Sequence, residues 1–269
     1  MSVVPPGTLE GWYALHQIFA VDWGALDALS DEERARVADG ARETLAALAN
    51  PDGEGWTAAF RLVGGGADWM LIHFRDTPEA LADANLELRR SPVGPLLWLT
   101  YDYFSVAEAG LYHATAEGAK AGPPGSEAFR KALEEAAAAE RASPHVQARL
   151  YPRIPEGMRY VSFYPMSKRR AHPDNWYTLP LEERNQLMRD HGLTGRKYSN
   201  RIYQVITGSV GLDDWEWGVT LFARDLLDIK AIVTELRYDP ASSRYGEFGS
   251  FYTGILATPD ALADTLRRQ

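Results

Sequence analysis

The chain has 269 residues, and its 28 lysines and arginines against 37 aspartates and glutamates give a formal net charge of −9. This acidic balance argues against nucleic acid or an anionic membrane as the main partner, although a local basic pocket is compatible with it. The absence of cysteine excludes disulfides, thiolate metal sites, iron–sulfur clusters and cysteine nucleophiles. The sequence shows no signal peptide and no membrane-spanning run, so we expect a soluble, cytoplasmic protein.

The first half of the sequence predicts six elements in the order strand, helix, strand, strand, helix, strand. Ser30 and Glu33 form a capping-box pattern at the start of the first helix, and Pro78 suits the first turn of the second. The predicted strands are 12–21, 56–63, 69–75 and 96–104, and the predicted helices are 31–49 and 78–90.

The second half repeats this order of elements. Trp69 aligns with Trp217, and Glu87-Leu88-Arg89 aligns with Glu235-Leu236-Arg237 at the same offset. The predicted strands are 158–166, 201–207, 216–222 and 250–255, and the predicted helices are 180–191 and 226–236. The order β-α-β-β-α-β is that of the ferredoxin-like unit, so we predict an α+β protein of two tandem ferredoxin-like modules whose sheets pair into a barrel-like body.

The segment between the halves has a different composition, rich in alanine, glutamate and lysine. Gly122-Pro123-Pro124-Gly125 predicts a turn, and a helix is expected over 126–142. The predicted division is therefore an N-terminal module over 1–106, a helical linker over 107–148 and a C-terminal module over 149–269.

The six histidines form no HxH or HExxH pattern, which makes a zinc hydrolase an unfavourable interpretation. His191 closes the predicted helix 180–191, and Gly192 is placed to end that helix in the left-handed conformation. Met188 and Leu187 lie three and four positions before His191, so the imidazole shares an apolar face. Two interpretations stay open: a packed residue at a helix C-terminus, or an axial ligand to a heme-like iron.

The segment 163–170 ends a predicted strand and then becomes strongly basic. Strand alternation places Tyr164 and Met166 on one face, opposite Phe163. A tyrosine near a redox centre can relay an electron, and the following lysine and arginines can hold carboxylates. The alternative is an ordinary exposed strand end.

A set of motifs at fixed spacing runs through the second half of the chain. The motifs are Phe163-Tyr164-Pro165-Met166-Ser167-Lys168, Trp176-Tyr177, Leu179-Pro180, Glu182-Glu183-Arg184, His191-Gly192, Thr194-Gly195-Arg196-Lys197-Tyr198, Gln204-Val205-Ile206-Thr207-Gly208-Ser209, Trp217-Gly218-Val219-Thr220-Leu221-Phe222 and Arg244-Tyr245-Gly246-Glu247-Phe248-Gly249. Together they resemble the coproheme decarboxylases, most closely the Firmicutes-type branch, within the chlorite dismutase-like superfamily. The resemblance is nearly continuous from about Arg149 to Gly254 and rests mostly on element order in the first half.

This resemblance implies a dimeric α+β barrel fold and a hydrogen peroxide-dependent activity. The implied reaction converts two propionates of iron coproporphyrin III (coproheme) to vinyl groups and yields heme b, so coproheme is both substrate and redox centre. The implied assembly is a homopentamer that contacts the coproporphyrin ferrochelatase transiently, with no nucleic-acid or membrane partner.

The resemblance also implies roles for individual residues. His191 would be the proximal iron ligand and Tyr164 the catalytic tyrosine, with Lys168 orienting the reacting carboxylate. Gln204 would lie on the distal side of the porphyrin. The remaining residues implied in binding the propionates are Arg149, Pro165, Met166, Ser167 and Ser242.

Two alternative functions remain beside this one. A heme-binding carrier or regulator without catalysis would use the same iron ligand. A chlorite dismutase or heme peroxidase would share the fold. The resemblance implies an arginine at the distal position in chlorite dismutases, whereas this chain has the neutral Gln204 there.

Overall fold

The computed structural model describes residues 5–64 and 66–267, and these form two compact units. Of the described residues, the N-terminal unit contains 12–64, 66–106, 159–163 and 251–267. The C-terminal unit contains 5–11, 107–158 and 164–250. That the predicted modules 1–106 and 149–269 are separate domains stays a prediction.

The described residues contain both helices and antiparallel strands, as expected of an α+β protein. In chain order they are β1 (Gly7–Val21), α1 (Trp23–Asp27), α2 (Asp31–Ala49), β2 (Gly55–Leu62), β3 (Trp69–Arg75), α3 (Pro78–Arg90), β4 (Leu97–Leu111), α4 (Tyr112–Ala121), α5 (Glu127–Arg141), α6 (Pro144–Leu150), β5 (Tyr160–Lys168), α7 (Leu181–Arg196), β6 (Ile202–Gly208), β7 (Trp217–Ala223), α8 (Leu226–Leu236), α9 (Pro240–Ser243), β8 (Gly246–Phe248), β9 (Tyr252–Ala257) and α10 (Pro259–Arg267). Short 3₁₀ turns cover Gly94–Leu96 and Trp176–Thr178.

The N-terminal unit is an antiparallel sheet with helices packed against it. Strand β3 pairs with β1 and β2, β2 pairs with β9, and β9 pairs with the first residues of β5. The predicted capping box at Ser30 is confirmed, because the Ser30 hydroxyl accepts from the Glu33 N–H and the Glu33 carboxylate accepts from the Ser30 N–H. The core between sheet and helices includes Leu26, Leu45, Trp69, Leu71, Leu88 and Leu262.

The C-terminal unit repeats the arrangement with different partners. Strand β6 lies between β4 and β7, β7 also pairs with β5, and β5 pairs with β8. Helix α8 packs on β7, and α7 contacts both α8 and α9. The core here includes Tyr164, Ile202, Val219, Leu221, Ile229 and Ile232.

The predicted fold class is confirmed, and several element boundaries are corrected. Helix α7 does not end at His191: it continues to Arg196, and Gly192 is helical rather than left-handed. The predicted linker begins as strand, because β4 continues to Leu111, and the rest forms α4, α5 and α6. Strand β8 and helices α9 and α10 were absent from the sequence prediction.

Within residues 5–64 and 66–267, no helix has both the length and the apolarity that a membrane span requires.

Candidate functional site

Strand β5 supplies a buried face to the C-terminal unit. Residues 164, 166 and 168 point to the same side of the strand because side chains alternate. The side chains of Tyr164 and Lys168 are 5% and 7% exposed. Tyr164 belongs to the core formed with β6, β7 and α8, and Met166 packs against that core.

Lys168 is a buried cation held by neutral groups. Its Nζ donates to the backbone carbonyl of Ala241 at 2.7 Å and lies 4.5 Å from the centre of the Trp176 ring. Burial lowers its pKa to about 8, although the charges of Asp239 and Glu216 oppose that shift. The ammonium is therefore mostly charged at neutral pH and close to its titration point.

Tyr164 is buried near the Phe248 ring and the Arg237 guanidinium. Its ring centroid is 6.0 Å from that of Phe248, and the Arg237 guanidinium lies 4.0 Å from the Phe248 centroid. Burial raises the pKa of Tyr164 to about 12, with the positive charge of Arg237 acting in the opposite direction. The phenol is therefore protonated throughout the physiological pH range.

His191 projects from α7 with one ring nitrogen already engaged. Its Nδ1 is 2.5 Å from Oδ2 of Asp239. Burial would raise the pKa of Asp239, but the hydrogen bonds from His191, from the Ala241 N–H and from Ser242 outweigh it and hold that pKa below its usual range. Because the carboxylate accepts from Nδ1–H, the Nε2 lone pair is available to a metal ion.

The helix face beside His191 is open. Gly192 follows the histidine, and Gly195 lies one turn further along the same helix. A Cβ atom built on either glycine would meet nothing within 4 Å. A flat group can therefore approach the imidazole without a side chain at these two positions in its way.

The short helix α9 connects three of the predicted site residues. Asp239 caps its first turn by accepting from the Ala241 N–H at 3.3 Å, and its Oδ2 also accepts from the Ser242 hydroxyl at 3.3 Å. The same carboxylate contacts His191, and the Ala241 carbonyl holds Lys168. The structure therefore brings His191, Ser242 and Lys168 around one turn of chain.

Gln204 lies on the Tyr164 side of the sheet. It is half-buried in β6 opposite Leu221 of β7. Ile202 and Ile206 point to the same side of β6 as Gln204, and both pack in the core that contains Tyr164. The neutral amide is therefore directed to the same face as the tyrosine.

The charged neighbours of Arg149 are the carboxylates of Glu108 and Glu140. It is half-buried in α6, and the Tyr203 hydroxyl fixes that helix by donating to the Ala148 carbonyl at 2.9 Å. Burial lowers the pKa of Arg149, while the carboxylates of Glu108 and Glu140 act to raise it. Its assignment as a propionate ligand stays a prediction.

The remaining predicted residues of β5 are placed on both faces of the strand. Met166 points to the same side as the tyrosine, whereas Pro165 and Ser167 point to the other. The Pro165 carbonyl accepts from the Gly249 N–H at 2.9 Å, and the Ser167 hydroxyl accepts from the Glu216 N–H at 3.2 Å. In this arrangement Pro165 and Ser167 fix neighbouring backbone.

Sequence reasoning missed Asp239, although a signal was available. Asp-Pro is a common start of a helix, with aspartate as N-cap and proline at the first helical position, and α9 begins in this way. What the pattern does not contain is the contact with His191, 48 residues away in the sequence.

The described part of the chain holds no cluster of three or more histidine, aspartate or glutamate side chains suited to a metal ion. A porphyrin iron needs only one axial side chain, because the macrocycle supplies the other nitrogens. His191 fits that requirement.

Comparison with known proteins places the chain in a family. A family model for chlorite dismutase matches residues 34–257. The coproheme decarboxylase of Staphylococcus carnosus is 41% identical over 97% of this chain and 97% of its own length. That of Staphylococcus saprophyticus is 40% identical over 96% of this chain and 97% of its own length.

Solved structures agree with this placement. A heme-binding protein from Thermus thermophilus superposes with a TM-score of 0.83 and 37% identity, covering 97% of both chains. A mutant chlorite dismutase from Candidatus Nitrospira defluvii has a TM-score of 0.74 at 17% identity, again over 97% of both chains, and shows the fold alone. The chain belongs to the chlorite dismutase family. Its predicted resemblance to the coproheme decarboxylases of that family is confirmed.

Proposed function

We propose that this protein converts iron coproporphyrin III to heme b by hydrogen peroxide-dependent oxidative decarboxylation. The observation that carries the proposal is the 40–41% identity, over nearly the whole chain, to two proteins named coproheme decarboxylase. The heme-binding protein at 37% identity supports the porphyrin as ligand.

The reaction balances with one peroxide for each propionate. A –CH₂CH₂COO⁻ group, one H₂O₂ and one proton give –CH=CH₂, CO₂ and two molecules of water. The propionate loses two electrons, which end on peroxide. Two of the four propionates react, so two peroxides are consumed.

The residues of the site fit an iron porphyrin. His191 would hold the iron through Nε2, and the open helix face at Gly192 and Gly195 admits a flat macrocycle. When bound, the iron porphyrin supplies the redox chemistry with peroxide. The apolar side chains that surround Tyr164 exclude water from the reacting group.

Tyr164 would act on the propionate carbon. Because burial keeps the phenol protonated, with a pKa of about 12, Tyr164 loses a proton together with an electron when it is oxidised. The resulting phenoxyl radical takes a hydrogen atom from the propionate β-carbon and becomes a phenol again. Loss of CO₂ and of a second electron leaves the vinyl group.

The other residues would hold the carboxylates. The buried Lys168 ammonium orients the reacting carboxylate. Ser242 donates its hydroxyl to another propionate, and Arg149 binds a propionate as well. Backbone and side chains of Pro165, Met166 and Ser167 complete the contact, and Gln204 supplies a neutral amide on the distal side.

The test is to mix the protein with iron coproporphyrin III, titrate hydrogen peroxide and follow the products by chromatography and mass spectrometry. Stepwise loss of two CO₂ is expected for the wild-type protein. Tyr164→Phe should bind the porphyrin but lose decarboxylation, whereas Tyr238→Phe, on a tyrosine that is 84% exposed, should behave like wild type. Tight binding with bleaching and no change in mass would instead indicate a carrier or another peroxidase.

The wider proposals concern assembly and place of action. We propose a homopentamer that acts in the cytoplasm and receives its porphyrin by transient contact with the coproporphyrin ferrochelatase. Light scattering of the purified protein tests the number of chains, and a monomer in the active preparation would contradict the pentamer.

A further inference from the structure

We propose that the N-terminal unit carries a second ligand site, a groove that binds an uncharged, flat aromatic molecule with a hydrogen-bond donor at its edge. The groove is lined by residues of β1, α3 and the start of β4, and its volume is about 440 Å³. Ligand pockets of proteins commonly have volumes of about 300 to 1,000 Å³. All of its lining residues belong to the N-terminal unit, so the groove shares no residue with the proposed porphyrin site.

A tight turn between α3 and β4 forms one end of the groove. Helix α3 ends at Arg90, and the 3₁₀ turn over Gly94–Leu96 leads into β4. A Cβ atom on Gly94 would lie 2.3 Å from the Arg89 carbonyl oxygen, so the turn can pass this close to the helix end only with glycine there. The turn brings the start of β4 beside the end of α3, and Leu88 and Leu97 line the groove from these two elements.

Gln17 of β1 brings an unused hydrogen-bond acceptor to the groove. Its side chain lines the groove and is 1% exposed. Its Nε2 donates to Asn85 Oδ1 of α3 at 3.0 Å, which fixes the orientation of the amide. Its buried Oε1 has no hydrogen-bond partner in the described part of the chain. Because a buried acceptor without a donor is costly, a ligand N–H or O–H that reaches Gln17 Oε1 gains a hydrogen bond that the protein alone does not make.

The other walls of the groove fit a flat apolar ring. Phe19 and Leu88 are 3% and 1% exposed and belong to the core of the unit. Trp98 is 65% exposed, and its Nε1 donates to Asp22 Oδ2 at 3.3 Å, which restrains the ring. Trp98 and the neighbouring Leu99, which is 49% exposed, leave apolar surface in contact with water. An aromatic ligand that stacks on the Trp98 indole removes part of this surface from water.

The charges of the groove favour an uncharged ligand. Among the described residues that line it, Arg89 and Asp102 are charged, and their signs are opposite. Such a pair gives no net attraction for an anion or for a cation. A carboxylate would also place a second acceptor against Gln17 Oε1, which needs a donor. A porphyrin with four propionates is therefore a poor occupant, whereas a phenol or another ring with an N–H or O–H at its edge fits.

The test uses 2-naphthol, a flat aromatic phenol, and 2-methoxynaphthalene, which has the same ring without the donor. Equilibrium dialysis measures the binding of both probes to the porphyrin-free protein and to the protein loaded with iron coproporphyrin III. The variants are Gln17→Leu and Trp98→Ala, with Trp23→Ala as the matched control. Trp23 is also exposed, at 39%, and its Nε1 also donates to an aspartate, Asp68, but it does not line the groove.

2-Naphthol should bind the wild-type protein about fivefold more tightly than 2-methoxynaphthalene, the ratio expected for one neutral hydrogen bond. Gln17→Leu should make the two affinities equal. Trp98→Ala should weaken both probes about tenfold, because the stacking surface is lost. Trp23→Ala should change neither affinity, and loading with iron coproporphyrin III should leave the binding of 2-naphthol unchanged.

Equal affinities of the two probes for the wild-type protein would overturn the proposal, and this ratio decides the matter even if Gln17→Leu fails to fold. Displacement of 2-naphthol by iron coproporphyrin III would overturn it as well, because the probe would then occupy the porphyrin site. Light scattering of Trp98→Ala tests the other possible occupant: fewer chains per particle than in the wild type would show that a second copy of the chain covers Trp98. Failure of iron coproporphyrin III to bind at all would instead count against the proposed function, because the porphyrin-free protein still tests the groove.

Discussion

Replacing Lys168 by methionine should stabilise the porphyrin-free protein at neutral pH. The folded protein releases the Lys168 proton near pH 8, whereas an ordinary lysine in the unfolded chain holds it to about pH 10.5. The unfolded chain therefore binds more protons in this window, and stability rises with pH across it. Below pH 8 the folded state carries the full cost of a desolvated ammonium.

The magnitude follows from the pKa difference. A fall from 10.5 to about 8, at about 1.4 kcal/mol for each pH unit, corresponds to a cost of roughly 3 kcal/mol at pH 7. Methionine removes this cost but leaves the Ala241 carbonyl without its Nζ donor, a loss of about 1 kcal/mol. We expect Lys168→Met to increase the free energy of unfolding by about 2 kcal/mol at pH 7.

The assay is urea unfolding of both proteins at pH 7 and pH 10. At pH 10 the unfolded lysine is itself partly deprotonated, so the electrostatic cost falls to about 1 kcal/mol and the stabilisation should vanish. Iron coproporphyrin III should bind more weakly to Lys168→Met at pH 7. A variant less stable than wild type at pH 7, or a difference independent of pH, would refute the assignment of a buried, destabilising ammonium.

Further predictions concern the fold and the site. Gly55→Ala should cost more than about 1 kcal/mol in urea unfolding, because Gly55 has φ of +122° and a Cβ there would lie 2.0 Å from a backbone carbonyl; Gly53→Ala, with open space, should be nearly neutral. Ser30→Ala should lose about 1 kcal/mol in the same assay, and Ser30→Asn should not. Gln204→Leu should weaken iron coproporphyrin III about fivefold in absorbance titration, the value of one neutral hydrogen bond of about 1 kcal/mol, and still lose two CO₂. Affinity of the wild-type protein should fall about tenfold for each pH unit above about 8, as the Lys168 ammonium is lost, and this slope should be absent from Lys168→Met.

Local signals predicted the elements that carry their own caps. Helix α3 begins at Pro78 after the N-cap Thr77 and ends at Arg90, as the pattern indicated. Strand β3 is buried along its whole length, so its apolar run was sufficient to define it.

The end of α7 could not be predicted in this way. A glycine in a helix costs about 1 kcal/mol, and His191-Gly192 has the pattern of a helix end. Contacts with α8 oppose this cost: Lys197 pairs with Glu235, and the Tyr198 hydroxyl donates to Glu235 at 2.8 Å. These contacts join residues 37 and 38 apart and stabilise the last turn of α7 only when the unit is folded.

The candidate site shows the same difference between local sequence signals and contacts of residues distant in sequence. Tyr164 and Lys168 are near one another in sequence, so strand alternation placed them on one face. The carboxylate that supports His191 comes from a different element, and nothing in the spacing of the two residues predicts a 2.5 Å contact. The residues proposed to bind the ligand were predicted from local pattern and resemblance, whereas the carboxylate that contacts His191 required the structure.

Burial of the site shifts the pKa values of the two proposed catalytic groups in opposite directions. The same loss of water lowers the pKa of Lys168 and raises that of Tyr164, because it disfavours the charged form of each. In the porphyrin-free protein the Lys168 ammonium contacts the neutral Ala241 carbonyl, and the charges of Asp239 and Glu216 offset only part of the cost of its burial. A bound propionate would place a negative charge beside the Lys168 ammonium and raise its pKa. Binding would therefore restore part of the folding stability that is lost when the ammonium is buried. Under the proposed function, a chain of net charge −9 would bind a tetra-anion with the help of the buried Lys168 ammonium, whose burial cost is offset by the charge of the ligand.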